Sequence, residues 1–335
     1  MGDALMDCVA QGDGSLKPLM GGSPFNTARA CALRLKPVQE QAASANAESA
    51  ATSVQVSYVN PFSTDLFGDQ LRGQLAQDGV RTLLPATRLP TSLAVLQLAK
   101  GQPSYGFYRE GIADRDYSVA QVCELLETAV PGILHVGSLA LVPPEVDKVD
   151  AILAFAKVRG WTVSIDVNMR PKLASNLSDY VDKVLQITKH ANWIKASDED
   201  LQVLNLRGTQ QTGSLSSRAD AASIAPHFLS QGSTRVALTF GEQGAWLQVD
   251  GQSAQVDVPQ VDVVDTVGAG DTFWGNCLGD WALDFAEAGT GSSVAVNTAA
   301  QRVEQTLQQA MRAAAINCTR AGCQPPGFAE VLAWR

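Results

Sequence analysis

The chain has 335 residues, with 25 Lys plus Arg against 34 Asp plus Glu, and a net charge of −9. A chain of this length buries roughly three quarters of the surface exposed when it is unfolded, so it needs no disulfide or metal staple. The acid excess argues against a nucleic-acid partner, whose phosphates it would repel, and the 18% charged fraction suits a compact fold rather than a disordered chain.

The first element predicted is a helix after Gly21-Gly22. Ser23 suits its N-cap, Pro24 its first position, and Phe25, Ala28, Ala32 and Leu35 line one face. Residues 39–53 are rich in Ala and Ser and read as a surface excursion or a short exposed helix. Ser92 to Ala99 and Tyr105 to Arg109 read as a hairpin set apart from the rest, joined through Lys100-Gly101-Gln102-Pro103. From about residue 130, strands alternate with helices. Strands are expected at Ile133–Gly137, Trp161–Val167, Asn192–Lys195 and Arg235–Phe240. Helices are expected at Pro143–Arg159, Tyr180–His190 and Asp198–Leu206. This alternation predicts an α/β fold with a mostly parallel sheet, whose ligands bind beyond the carboxyl ends of the strands. Residues 207–220 and 287–299 read as further surface insertions, and no internal repeat is visible.

Cysteines 8, 31, 123, 277, 318 and 323 form no CxxC, and the three histidines form no HExxH. Free thiols in a reducing compartment are the expectation, not a zinc site. No apolar run approaches the roughly 18 residues of a membrane span. Met1-Gly2-Asp3 is charged at once with no apolar core behind it, so a cytoplasmic protein without a membrane partner is expected.

A Walker A loop is absent, and GxGxxG fails around Gly268, where Phe273 stands in the place of the last glycine. What stands there is Asp265-Thr266-Val267-Gly268-Ala269-Gly270-Asp271-Thr272-Phe273. Phe273, Trp274, Cys277, Leu278, Trp281 and Phe285 then recur at helical spacing. Gly268, Ala269 and Gly270 thus open a buried helix, whose free N–H groups and positive dipole end suit an anion. Asp271 in that first turn is either a helix-terminal acid that favours the dipole or a group with a chemical task. The glycine turn at 21–22 allows close approach to a ligand, and Asn26 offers a donor and an acceptor beside it.

Taken together, Gly21 to Ala28 and Asp265 to Phe273 resemble the two signatures of the ribokinase-like (PfkB) family of carbohydrate kinases. Gly2 to Asp7, Asp65 to Gly68, Tyr108 to Asp114, Asp166 to Pro171, Thr239 to Gly244 and Asn317 to Gly322 are similar to further family segments. The resemblance implies one kinase domain over 1–335, a mostly parallel central sheet flanked by helices, and a small β lid at about 9–20 and 89–109. It implies ATP and Mg²⁺ as cofactors, a sugar as acceptor, and lids that pair into homodimers. Asp271 would be the general base, and Gly268, Ala269 and Gly270 would donate N–H groups to the transferring phosphoryl. Asp7, Gly22 and Asn26 would hold sugar hydroxyls. Thr239, Gly241 and Gly244, with Ser197, would meet the nucleotide, and Asp200 would act on Mg²⁺ through water. Asp200 stands where the family carries Glu, the first strand looks shortened, and the 39–53 stretch matches no family feature. Arg109 and Arg170 add two cations for the substrate. Fructokinase is the reading favoured, with 2-keto-3-deoxygluconate kinase or ribokinase as alternatives and a catalytically silent relative as the reading from another class.

Overall fold

The computed structural model describes residues 1–44, 54–99, 102–207, 216–290 and 298–334. The core of the expected 39–53 excursion, the link at 100–101, and most of the expected insertions at 207–220 and 287–299 lie outside the described residues.

The elements run β1 (Leu5–Ala10), β2 (Leu16–Gly21), α1 (Ser23–Ser44), β3 (Ser57–Tyr58), α2 (Leu66–Asp78), β4 (Arg81–Thr82), β5 (Ser92–Ala99) and β6 (Gln102–Tyr108). Next come α3 (Val119–Thr128), β7 (Ile133–Gly137), α4 (Glu145–Val158), β8 (Thr162–Asp166), α5 (Leu177–Thr188), β9 (Trp193–Ser197) and α6 (Asp198–Val203). The chain continues through α7 (Ala221–Ile224), α8 (Pro226–Leu229), β10 (Arg235–Thr239), β11 (Ala245–Val249), β12 (Gln252–Val256), α9 (Ala269–Thr290), α10 (Ala299–Cys318) and α11 (Phe328–Ala333).

The larger sheet has the order β12-β11-β10-β9-β8-β7. Strands β7 to β10 are parallel, and β11 and β12 add an antiparallel edge. Alternation along each strand divides the core in two. Ile194, Ala196, Val236 and Leu238 share one cluster with residues of α4 to α8. Trp193, Ala237, Ala245 and Leu247 share another with Phe273, Trp274 and Trp281 of α9 and Leu307 of α10. Helices thus cover both faces, which is why these strands are hydrophobic almost throughout. The β11–β12 hairpin was not among the expected strands. Its turn carries Asp250-Gly251 with φ of +47° and +87°, a dipeptide suited to a two-residue hairpin loop.

A second sheet has the order β2-β1-β5-β6, with β1 parallel to β5 and antiparallel to β2. It draws on residues 5–21 and 92–108, so the early hairpin pairs with the start of the chain. Met6 and Cys8 pack toward Phe25, Tyr58 and Leu71, while alternation turns Asp7 to the other face.

Candidate active site

The carboxyl ends of β7, β8 and β9 lead into Ser138, Asn168 and Ser197 on one side of the larger sheet. Two helix N-termini converge on the same side. Helices α1 and α9 run in parallel because two glycines of α9 have no side chain to hold them apart. A Cβ on Gly275 would lie 2.6 Å from the Ala30 Cβ and the Thr27 carbonyl, and one on Gly279 would lie 2.7 Å from the Arg34 Cγ. This contact sets the first turn of α1 against the first turn of α9.

Asp271 lies in that first turn of α9 and is 7% exposed. Its Oδ1 accepts from the Ser23 Oγ at 2.7 Å, and its Oδ2 from the Asn26 Nδ2 at 2.9 Å. The Ser23 Oγ accepts in turn from the Asn168 Nδ2 at 2.9 Å, and the Asn168 Oδ1 accepts from Arg170 at 2.5 Å. Each atom holds the next, so the carboxylate is fixed in place and still faces two helix dipoles that favour its charge.

Asp3 anchors the neighbouring wall. Its oxygens accept from the Ser23 N at 3.3 Å and the Leu139 N at 3.2 Å. Burial pushes its carboxyl upward, while the Arg109 and Arg170 charges oppose that shift. Asp7 packs over Gly21, where a Cβ would fall 2.1 Å from its Oδ2. Burial pushes the Asp7 carboxyl up to about 7, and the charges of Asp3 and Asp271 add to the effect. Gly22 has a φ of +105°, and a Cβ there would meet the Asp3 carbonyl at 2.4 Å, so the turn that delivers Ser23 to the site requires glycine.

The start of α9 separates the three expected phosphoryl donors. The Ala269 N–H is directed to the Thr266 carbonyl at 3.2 Å, and the Thr272 N–H to the Gly268 carbonyl at 2.8 Å. The turn that closes 266–269 uses the Ala269 amide, and the first-turn amides of Gly270 and Asp271 precede any intrahelical acceptor. Lys195, which the sequence reading treated as a strand residue only, lies beneath Gly270. A Cβ on Gly270 would be 3.2 Å from its Nζ. The ammonium donates to both oxygens of Asp166 at 2.9 Å, and both residues are buried. Burial opposes its charge, but the Asp166, Asp200 and Asp271 carboxylates hold it protonated.

Asp200, expected to act on Mg²⁺ through water, is turned toward the chain. Its Oδ2 accepts from the Ser197 N and Oγ, both at 2.8 Å, and its Oδ1 from the Met169 N at 2.6 Å. The shorter Asp side chain folds back as the capping box of α6 and is 3% exposed. Among the described residues no group of three or more His, Cys, Asp or Glu could hold a metal ion directly. Ser197 is likewise the N-cap of α6. Thr239 ends β10, and Gly241 and Gly244 form the tight turn into β11, with Gly241 exposed and Gly244 buried. Arg170 is held internally, because its guanidinium also donates to the Asn168 and Met169 carbonyls. Arg109 follows β6, half-buried, with its Nε enclosed and without a partner.

The four-residue spacing of Gly275 and Gly279 is the signal that could have found the helix contact, and the expectations above did not use it. Nothing in the sequence paired Lys195 with Asp166, because that contact crosses adjacent strands. Asp65, quoted only as part of a motif, is the N-cap of α2 and accepts from Gly68 and Thr91. Among the described residues no helix is long and apolar enough to cross a membrane.

The model of the pfkB family of carbohydrate kinases matches residues 2–329. A fructokinase of Rhizobium leguminosarum bv. trifolii is 27% identical over 288 residues, 84% of this chain and 79% of that one. A 2-dehydro-3-deoxygluconokinase of Bacillus subtilis (strain 168) is 26% identical over 65% of this chain and 66% of its own. Among solved structures, a fructokinase from Xylella fastidiosa with bound ATP superposes with a TM-score of 0.73 at 24% identity, covering 99% of this chain and 95% of that one. At that identity the likeness is one of fold.

Proposed function

Since the chain belongs to the pfkB family of carbohydrate kinases, we propose that it transfers the γ-phosphoryl group of ATP to a hydroxyl of fructose. The observation that carries this reading is the Asp271 carboxylate, oriented through both oxygens by Ser23 and Asn26 at the mouth of α9. A sugar hydroxyl is a weak nucleophile until a positioned acceptor takes its proton. Asp271 is that acceptor in this reading. Asp7 and Asn26 hold neighbouring hydroxyls, and the Asn26 Oδ1 is buried with no partner in the protein. Gly22 lets the backbone come close beside them.

The amides of Gly268 and Gly270 address the charge that develops on the phosphoryl group, and fixed donors of this kind are worth roughly 3–4 kcal/mol. Lys195 beneath Gly270 adds a fixed positive charge to the same end of α9. Thr239, Gly241 and Gly244 stand at the carboxyl end of the sheet, where the nucleotide belongs. The β1-β2-β5-β6 sheet is the lid of this reading, excluding water that would otherwise accept the phosphoryl group.

A neutral sugar is favoured over a sugar acid by the charge of the wall. Asp3, Asp7 and Asp271 act on one another electrostatically, and Arg170 is already engaged with Asn168 and Met169. An acidic substrate would then have Arg109 alone of the two expected arginines to pair with, beside the Asp271 carboxylate. An ATP-consumption assay with fructose, ribose, 2-keto-3-deoxygluconate and adenosine tests this, with the highest kcat/KM expected on fructose. Preference for the sugar acid would overturn the substrate, and ATP binding without turnover of any sugar would overturn the kinase activity. Asp271→Asn should lower kcat by about 10²–10⁴ while ATP still binds, and near-normal turnover would remove Asp271 from the role of base.

A further inference from the structure

Beyond Asp3 lies a group of charged side chains that the reaction just described does not use. Asp114 follows the β6 strand in a short turn and is 4% exposed. Its backbone is tied down, with the carbonyl accepting from the Asn60 Nδ2 at 2.9 Å. Asn60 itself accepts from the Gly2 N at 2.7 Å, so Asp114 is joined to the segment that carries Asp3. Yet neither oxygen of the Asp114 carboxylate has a partner. The nearby Arg109 is in the complementary condition, with its Nε enclosed and unpaired.

A carboxylate enclosed without a donor costs several kcal/mol, and natural interiors rarely leave one in that state unless something external completes it. Burial pushes the Asp114 carboxyl up to about 7, against the pull of the Arg109 charge. The Arg109 charge opposes the burial shift at both Asp3 and Asp114. Asn60 ties the Asp114 backbone to Gly2, and the adjoining Asp3 shares Ser23 with the Asp271 site. The unpaired Asn26 Oδ1, Arg109 Nε and Asp114 oxygens call for an alternation of donors and acceptors. A polyhydroxylated ligand has this chemistry, because each hydroxyl gives one proton and accepts others.

We propose that Asp114, with Arg109, is a specificity-determining pair that binds a sugar hydroxyl remote from the one phosphorylated, the carboxylate accepting it and the guanidinium donating to it. The proposal rests on the sugar-kinase reading and adds Asp114 to a substrate site for which Asp7, Gly22, Asn26 and Arg109 are already expected. A site that requires a hydrogen-bonded hydroxyl rejects the analogue that lacks it, because its own buried groups are then left unpaired.

The test pairs a change in the protein with a change in the sugar. Wild type, Asp114→Asn and Asp114→Ala are assayed on fructose and on monodeoxy-fructoses that each lack one hydroxyl. Thermal midpoint and ATP affinity are measured alongside, and the near-isosteric Asn variant guards against a folding defect. For one deoxy-sugar, wild type should lose about 10- to 100-fold in kcat/KM relative to fructose. The Asp114→Ala variant should lose a similar factor on fructose and nothing further on that same deoxy-sugar, with the KM for ATP unchanged. A loss of equal size on every sugar, or no loss, would show a structural role and overturn the inference while leaving the kinase reading intact. A wild type that neither binds nor phosphorylates any sugar would overturn both.

Discussion

Asp7 shows how a site residue can work against the stability of its own fold. Its carboxyl has a usual value near 3.8 and is pushed up to about 7 by burial. The folded state therefore holds this proton more tightly than the unfolded state. Between pH 4 and 7 the unfolded chain has already released it, so stability falls as pH rises through this range and is lowest above it. Asp7→Asn removes the ionisation. The variant should be more stable than wild type at pH 8 by about 2–4 kcal/mol, with the difference vanishing near pH 4. Denaturant midpoints across that range check the sign, and a constant difference at every pH would refute the assignment. The same variant should raise the KM for sugar at pH 8, since an amide gives a hydroxyl a weaker acceptor than a carboxylate. Stability gained together with affinity lost is what a functional buried acid should show.

At the scale of elements, the contact of α1 with α9 does most to build the site. Replacing Gly275 with Ala would place a Cβ 2.6 Å from both the Ala30 Cβ and the Thr27 carbonyl, so the helices must part. The expected cost is about 1–3 kcal/mol in stability. Turnover should fall by more than that loss explains, because a displacement of about 1 Å at the reacting groups can cost about 10² in rate. Gly73→Ala in α2 is the control. It is exposed with nothing within 4 Å of its new Cβ, and the change should stabilise by about 0.4–1 kcal/mol without touching kcat. Equal kinetic effects from the two changes would detach the helix contact from the site. This contact also marks the limit of what the sequence conveyed. The parallel strands were legible because each is a short apolar run bounded by turn residues, and Ile133–Gly137 matches to the residue. The opening of α9 was legible because glycines, an acid and a helical apolar stripe follow one another along the chain. Lys195 on Asp166, Ser23 on Asp271 and Asp200 folded onto Ser197 depend on which side chains meet across elements or on the length of one side chain. No local pattern encodes those meetings.

At the scale of the whole molecule, the six-stranded and four-stranded sheets differ in how they are held. The larger sheet is covered by helices on both faces. The smaller sheet joins it through Asp3, just before β1, and through the segments that flank β5 and β6. The outer strand β2 is exposed at Leu16, Lys17 and Pro18. A sheet with an open outer strand, whose second face is buried at Leu5 and Ala94 but not along its length, opens at lower free energy than a doubly covered core. Its natural stabiliser is a ligand lodged between it and the larger sheet, since a ligand bound to the closed form shifts the population toward that form. The net charge of −9 does not oppose such a ligand when the sugar is neutral. For the nucleotide, the N-termini of α1 and α9 and the Lys195 ammonium supply a local field of opposite sign. Hydrogen exchange should therefore slow by on the order of tenfold across residues 5–21 and 92–108 when fructose and a non-hydrolysable ATP analogue are both present. Ile133–Gly137 and Thr162–Asp166 should hardly change, because they are protected already. Fructose alone should give part of the effect, and the Asp7→Asn variant less than wild type at pH 8. Uniform slowing over both sheets would mean that the ligands stabilise the fold as one unit. No slowing in the smaller sheet would mean that it does not close over the sugar, leaving the exclusion of water to some other part of the chain.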